Sequence, residues 1–185
     1  MKLDYSFAQT SASKLSQVFA SENISVFVLS FAALFLPIIF GHANSFPNQI
    51  IVGTTVNALL ALSALYLPLK KALPIILLPA LAALISGFIF GSLTSFLFYM
   101  VPFIWLGNFA FVFLIKNLKV LNGMNYGASV FFASSIKSGI IFSATLAFVL
   151  LGVVPALFLF PMGLVQFATA LGGGGIAGAA LLLKK

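Results

Sequence analysis

Lys137 lies in Ser134-Ser135-Ile136-Lys137-Ser138-Gly139, inside an apolar segment that runs from about Asn125 to Leu151. It is about twelve residues from either end, so a rise of about 1.5 Å per residue puts it roughly 18 Å into an apolar layer about 30 Å thick. A lysine at a helix centre costs about 2.5–3.5 kcal/mol on insertion scales, which makes it a candidate functional residue. A buried charge needs a counter-charge or a full set of hydrogen bonds. The only acidic residues, Asp4 and Glu22, precede the first apolar run, so no span offers a carboxylate. Four explanations stay open: a neutral amine, a cage of carbonyls and hydroxyls such as Ser134, a partner subunit's carboxylate, or an anionic ligand. The ligand is the favoured reading.

Three further polar side chains fall within apolar runs. Asn57 shares a helical face with Gly53, Thr54, Ala61 and Ala64, a narrow stripe of small and polar residues. Asn108 follows Trp105 by one turn, and Gln166 shares a face with Met162, Thr169 and Gly173. Such amides either bond a neighbouring helix or line a site. Lys137 shares its own face with Ala133, Ser134 and Ile141, with Ser138 at the shoulder.

Other chemistry finds little support. His42 is the single histidine, cysteine is absent, and no carboxylate lies in a span. Metal clusters, thiol chemistry and intramembrane acid–base hydrolysis therefore lack their residues. There is no Walker A or dinucleotide-binding glycine pattern, so the chain is expected to be no enzyme, to carry no cofactor and to hydrolyse no ATP by itself.

The elements that must position these residues are membrane spans. Hydrophobic residues make up 62% of the chain and charged ones 6%, with a mean hydropathy of +1.22. Soluble domains hold roughly 25% charged residues, so this is expected to be an all-α polytopic membrane protein forming one domain, residues 1–185. Six spans are predicted at about 24–40, 49–67, 72–90, 96–115, 125–151 and 162–183. An amphipathic lead-in, residues 1–23, carries Leu15, Val18 and Phe19 at helical spacing and is read as a short surface helix, or as an irregular tail as far as Ser13. The apolar link 152–160 is expected to cap or dip into the membrane surface. Pro79 suggests a kink in the third span. Gly87/Gly91 and Gly174/Gly178 have the four-residue spacing of close helix approach, and Gly172 to Gly175 form an unbroken run.

Charge gives the orientation. Lys2, Lys14, Lys70, Lys71, Lys116, Lys119, Lys184 and Lys185 all fall on the side of the two termini, and the other three connections hold no lysine. The positive-inside rule then predicts both termini in the cytoplasm and a location in the cytoplasmic membrane, with the first apolar run retained as a span. The net charge of +7 is explained by these flanks, and the absence of arginine argues against a nucleic-acid surface.

Three stretches carry a family resemblance: Asn48-Gln49-Ile50-Ile51-Val52-Gly53-Thr54-Thr55-Val56-Asn57-Ala58, Val101-Pro102-Phe103-Ile104-Trp105-Leu106-Gly107-Asn108, and Gln166-Phe167-Ala168-Thr169-Ala170-Leu171-Gly172-Gly173. With six short-looped spans, they resemble the substrate-binding S components of energy-coupling factor transporters, over essentially the whole chain. The resemblance implies a pocket in the outer half lined by Gln49, Asn57, Asn108, Lys137 and Gln166, with residues 41–48 as a lid. It implies import of a small micronutrient, a vitamin or precursor, with a transmembrane coupling subunit and cytoplasmic ATPases as partners. The first span departs from the family's Ala-x-x-x-Ala docking pattern, holding Ala32-Ala33 and Ser21/Ser25 instead. A membrane scaffold and a stand-alone facilitator are the alternatives.

Overall fold

The computed structural model describes the backbone of residues 5–40, 46–87 and 90–182, and the side chains of 21–39, 49–87 and 90–180. Six helices are long and apolar enough to cross a membrane, and there is no strand among the described residues. The chain is a multi-pass, all-helical membrane protein. His42, Asp4, the terminal lysines, Lys14, the face formed by Leu15, Val18 and Phe19, and the side chains of loop 41–48 lie outside the described residues.

The helices are α1 (Tyr5–Phe40), α2 (Phe46–Tyr66), α3 (Leu69–Ser86), α4 (Thr94–Ile115), α5 (Tyr126–Leu150) and α6 (Gln166–Leu182). The lead-in is not a separate surface helix. It continues into the first span as one helix, because no Gly or Pro interrupts the chain between Tyr5 and Pro37. The third span stops at Ser86, short of the expected Phe90, where Gly87 turns into the left-handed region at φ 69°. Gly91, at φ 53°, opens a separate single 3-10 turn, Gly91–Leu93. Gly87 and Gly91 are therefore turn residues and form no helix-packing pair. Residues expected to form a polar connection after Ile115 instead extend that helix as a π-helical stretch, Lys116–Leu121. The Asn122-Gly123 turn follows, with Gly123 at φ 68°, and the Asn125 side chain caps α5 by accepting from Ala128 N–H at 3.2 Å.

α2 is the central helix, packing against α1, α3, α4 and α6. Around it the other helices form an open ring in which α1 meets α3, α3 meets α4, α4 meets α5 and α5 meets α6. The stripe on α2 faces α6: a methyl built on Gly53 would touch Thr169, and one on Gly172 would touch Thr54. Gly173 sits closest, since a methyl there would lie 2.5 Å from both Ala58 N and Thr54 O. One residue on, Gly174 faces Val130 of α5, and Gly178 faces Tyr126. Successive residues of a helix point about 100° apart, so the glycine run lets α6 approach two neighbours at once.

The ends of the helices pair consistently. Glu22 at the start of the first span bonds Lys71 in the first turn of α3 at 2.7 Å. Lys116, just after α4, donates to Leu67 O at 2.7 Å and Ala64 O at 3.3 Å, satisfying carbonyls that the end of α2 leaves open. Tyr126 at the start of α5 donates to Gly174 O near the end of α6 at 2.8 Å. The described lysines outside α5 thus cluster at one end. At the other end the 152–160 link folds over the bundle. Phe158 is fully buried there and stacks on Phe90 at 5.6 Å, between rings and aliphatic side chains of α4.

Candidate functional site

Lys137 is the twelfth of 25 residues in α5 and only 2% exposed. Its predicted companions Ala133, Ser134 and Ile141 are fully buried, so this face of α5 points into the bundle. α5 can come close here because a methyl built on Gly107 of α4 would already touch Ile141 and the Lys137 carbonyl. α2 and α5 do not pack on each other as the ring neighbours do. The lysine side chain crosses that gap.

Its Nζ donates to Asn57 Oδ1 and lies 5.4 Å from the centre of the Phe111 ring. Asn57 is held so that its oxygen, and not its nitrogen, meets the lysine. Its amide nitrogen donates to Gly53 O at 2.8 Å and to Thr169 Oγ1 at 3.3 Å. The Thr169 hydroxyl in turn donates to Val165 O at 2.8 Å. A neutral carbonyl and an aromatic face therefore stand where a carboxylate would be expected. The face of a phenyl ring attracts a cation by about 0.5–2 kcal/mol, depending on desolvation.

Lys137, Asn57 and Thr169 form the floor of a cavity of about 90 Å³ that all six helices line. Gln49, Asn57, Asn108, Lys137 and Gln166 all line it. Five polar side chains separated by up to 117 positions in sequence are thus brought to one place. The apolar lining includes Val52, Val56, Leu97 and Ile104, and Gln49 and Gln166 line the cavity together with Pro37, Phe90 and Pro161. These last residues belong to helix ends away from Lys71 and Lys116. Residues 46–48 open α2 beside Gln49; their side chains, and the whole of 41–45, lie outside the described residues, so the expected lid does too.

Asn108 serves both uses that an intramembrane amide can have. It lines the cavity and donates to Ile76 O at 3.2 Å, while Trp105 donates to Leu77 O at 3.0 Å. Both carbonyls lie in the turn preceding Pro79, which itself offers no N–H to the carbonyl of Ile75. α3 remains helical through Pro79 and Pro74.

Ser134 does not line the cavity. It is fully buried, and its hydroxyl has no hydrogen-bond partner among the described residues. The lysine reaches across to α2. Thr169 and Phe111 are the functional neighbours not singled out in advance. Thr169 had a signal, since it lies three residues after Gln166 on the same face. Phe111 had none, being one of 22 phenylalanines.

Among the described residues no three His, Asp or Glu side chains gather as a metal site. The chain matches no family model, and neither curated proteins nor solved structures give a match. The functional reading therefore rests on the geometry of the cavity.

Proposed function

We propose that this chain captures a small anionic solute in the cavity floored by Lys137 and serves as the substrate-binding subunit of an importer. In this reading both termini are cytoplasmic, the cavity opens to the outer face of the cytoplasmic membrane, and a separate coupling subunit with its ATPases drives release inward. The observation that carries the reading is the convergence of Gln49, Asn57, Asn108 and Gln166 on one cavity with the intramembrane lysine at its base. Small-molecule sites have this character: apolar walls with a few placed polar groups. The lysine has a neutral partner in Asn57, and the one described acidic side chain, Glu22, is taken by Lys71 at the end of the bundle, which leaves the charge to be matched by a ligand.

The resemblance to S components of energy-coupling factor transporters agrees with this reading through the same stretches, those around Gln49–Ala58, Val101–Asn108 and Gln166–Gly173. The test is native mass spectrometry of gently purified protein beside a Lys137→Met variant. A small anion retained by the first and lost from the second, with both proteins inserted and purified alike, is the expected result. Retention of the same anion by Lys137→Met would overturn the role given to the lysine. A stoichiometric membrane partner with no bound solute would point to a scaffold instead.

A further inference from the structure

Resting on that reading, the inventory of donors and the size of the cavity narrow the ligand. We infer that the site is built for a short-chain monocarboxylate, an acid of about three to five carbons, with its carboxylate on Lys137 and its chain toward the mouth.

The charge of the ligand follows from the donors at the floor. Asn57 has committed its amide nitrogen to Gly53 O and Thr169 Oγ1. The Thr169 hydroxyl is given to Val165 O, and Asn108 directs its nitrogen to Ile76 O. The lysine has three N–H groups and gives one to Asn57 Oδ1. At the floor it is the main source of donors for a bound anion, and it is the one basic side chain among the described residues that line the cavity. A phosphate brings a charge of about −1.5 to −2 and three acceptor oxygens, which one lysine neither neutralises nor satisfies. A single carboxylate matches it.

The body of the ligand follows from the walls and the volume. Val52, Val56, Leu97, Ile104 and Val165 offer nothing to the outer oxygens of nitrate or bicarbonate, but they do suit methylene groups. The cavity holds about 90 Å³, whereas an apolar void of about 150 Å³ takes up a six-carbon benzene. On that scale about four non-hydrogen atoms fit inside, the size of acetate, and a chain of one to three further carbons reaches into the open mouth. A vitamin-sized acid does not fit the cavity in this form.

The experiment uses the full chain purified in detergent and measures ligand-dependent thermal stabilisation. The probes are acetate, propionate, butyrate, valerate, hexanoate and octanoate, with inorganic phosphate, nitrate and the neutral amide of butyrate as comparators. Stabilisation is expected to peak between propionate and valerate, to fall for hexanoate and octanoate, and to be absent for phosphate, nitrate and the amide. Lys137→Met should weaken the best ligand at least about tenfold, the loss of a charge-assisted hydrogen bond. Val165→Ala enlarges the wall next to Gln166 without removing a polar group and should move the optimum up by about one carbon, a shift that loss of stability alone does not produce. A steady rise with chain length, or a preference for phosphate, would overturn the inferred class. Binding of larger acids that depends on Lys137, with none of the short ones, would overturn the size limit yet leave the anion site standing. Short acids bound equally by Lys137→Met would overturn both.

Discussion

Removing the two partners that meet at the floor of the cavity, singly and together, tests whether Lys137 and Asn57 form one unit. Lys137→Met leaves Asn57 Oδ1 buried without its donor, at a cost of about 1–3 kcal/mol. Asn57→Leu keeps nearly the same shape but leaves the lysine with the Phe111 ring alone, and loss of a hydrogen bond to a charged group costs about 1.5–3 kcal/mol. If the sites were independent, the double variant would lose the sum, about 2.5–6 kcal/mol. It instead removes donor and acceptor together and replaces them with apolar groups, which is often nearly neutral. The expected loss for the pair is about 1–2 kcal/mol, with a coupling energy of about 0.5–5 kcal/mol, centred near 3. That central value exceeds the average of about 0.6 kcal/mol for hydrogen bonds between membrane helices, because one partner here is a lysine. Reversible unfolding in mixed micelles of rising SDS content measures all four proteins. The single tryptophan, Trp105, packs where α3 meets α4 and provides the fluorescence signal. Additivity to within about 0.5 kcal/mol would refute the pairing.

Two further outcomes follow from the packing and the placement of charge. Gly173→Ala forces a methyl to within 2.5 Å of α2 backbone, so it should destabilise the fold by about 1–3 kcal/mol, whereas Gly175→Ala, with nothing within 4 Å, should be neutral or gain about 0.5–1 kcal/mol; the same micelle titration separates them. Because the chain has no cysteine, Lys119→Cys and Leu157→Cys can be labelled in intact cells with a membrane-impermeant maleimide. Leu157 should react from outside and Lys119 only after the membrane is opened, and the reverse pattern would invert the proposed orientation.

Much of this arrangement could be read from residue types, and the limits have a physical cause. The spans were legible because lipid demands long uninterrupted apolar runs. The α2 stripe and the glycine run were legible because close helix approach demands small residues, and Gly53, Asn57 and Gly173 meet across α2 and α6 as that pattern requires. Which helix each face would meet was not legible. Lipid-facing and core-facing positions are equally apolar, so periodicity is nearly silent: Phe27, Phe31 and Phe35 of α1 are 71%, 52% and 37% exposed, though a soluble protein would hide them. For the same reason Phe111 could not be picked out as the ring under Lys137. The helical extension over Lys116–Leu121 was hidden by its polar residues, which the structure spends on bonds: Lys116 closes the end of α2, and Asn117 donates to Phe113 O at 2.8 Å.

The choice of lysine over arginine follows from the same floor. α2 packs on every helix of the ring except α5, and the Lys137 side chain spans the distance that remains. An arginine is long enough, but it brings five N–H donors in a rigid fork. The acceptors around it are already in use: Gly53 O receives Asn57, Val165 O receives Thr169, and Ile76 O receives Asn108. Asn57 Oδ1 is the acceptor turned toward the residue, and each guanidinium N–H left without a partner there would carry a desolvation cost of about 1–3 kcal/mol. A lysine gives one N–H to Asn57, rests against Phe111, and keeps only two others to satisfy. Those two N–H groups are the donors that the proposed carboxylate, with two oxygens on one carbon, would accept from.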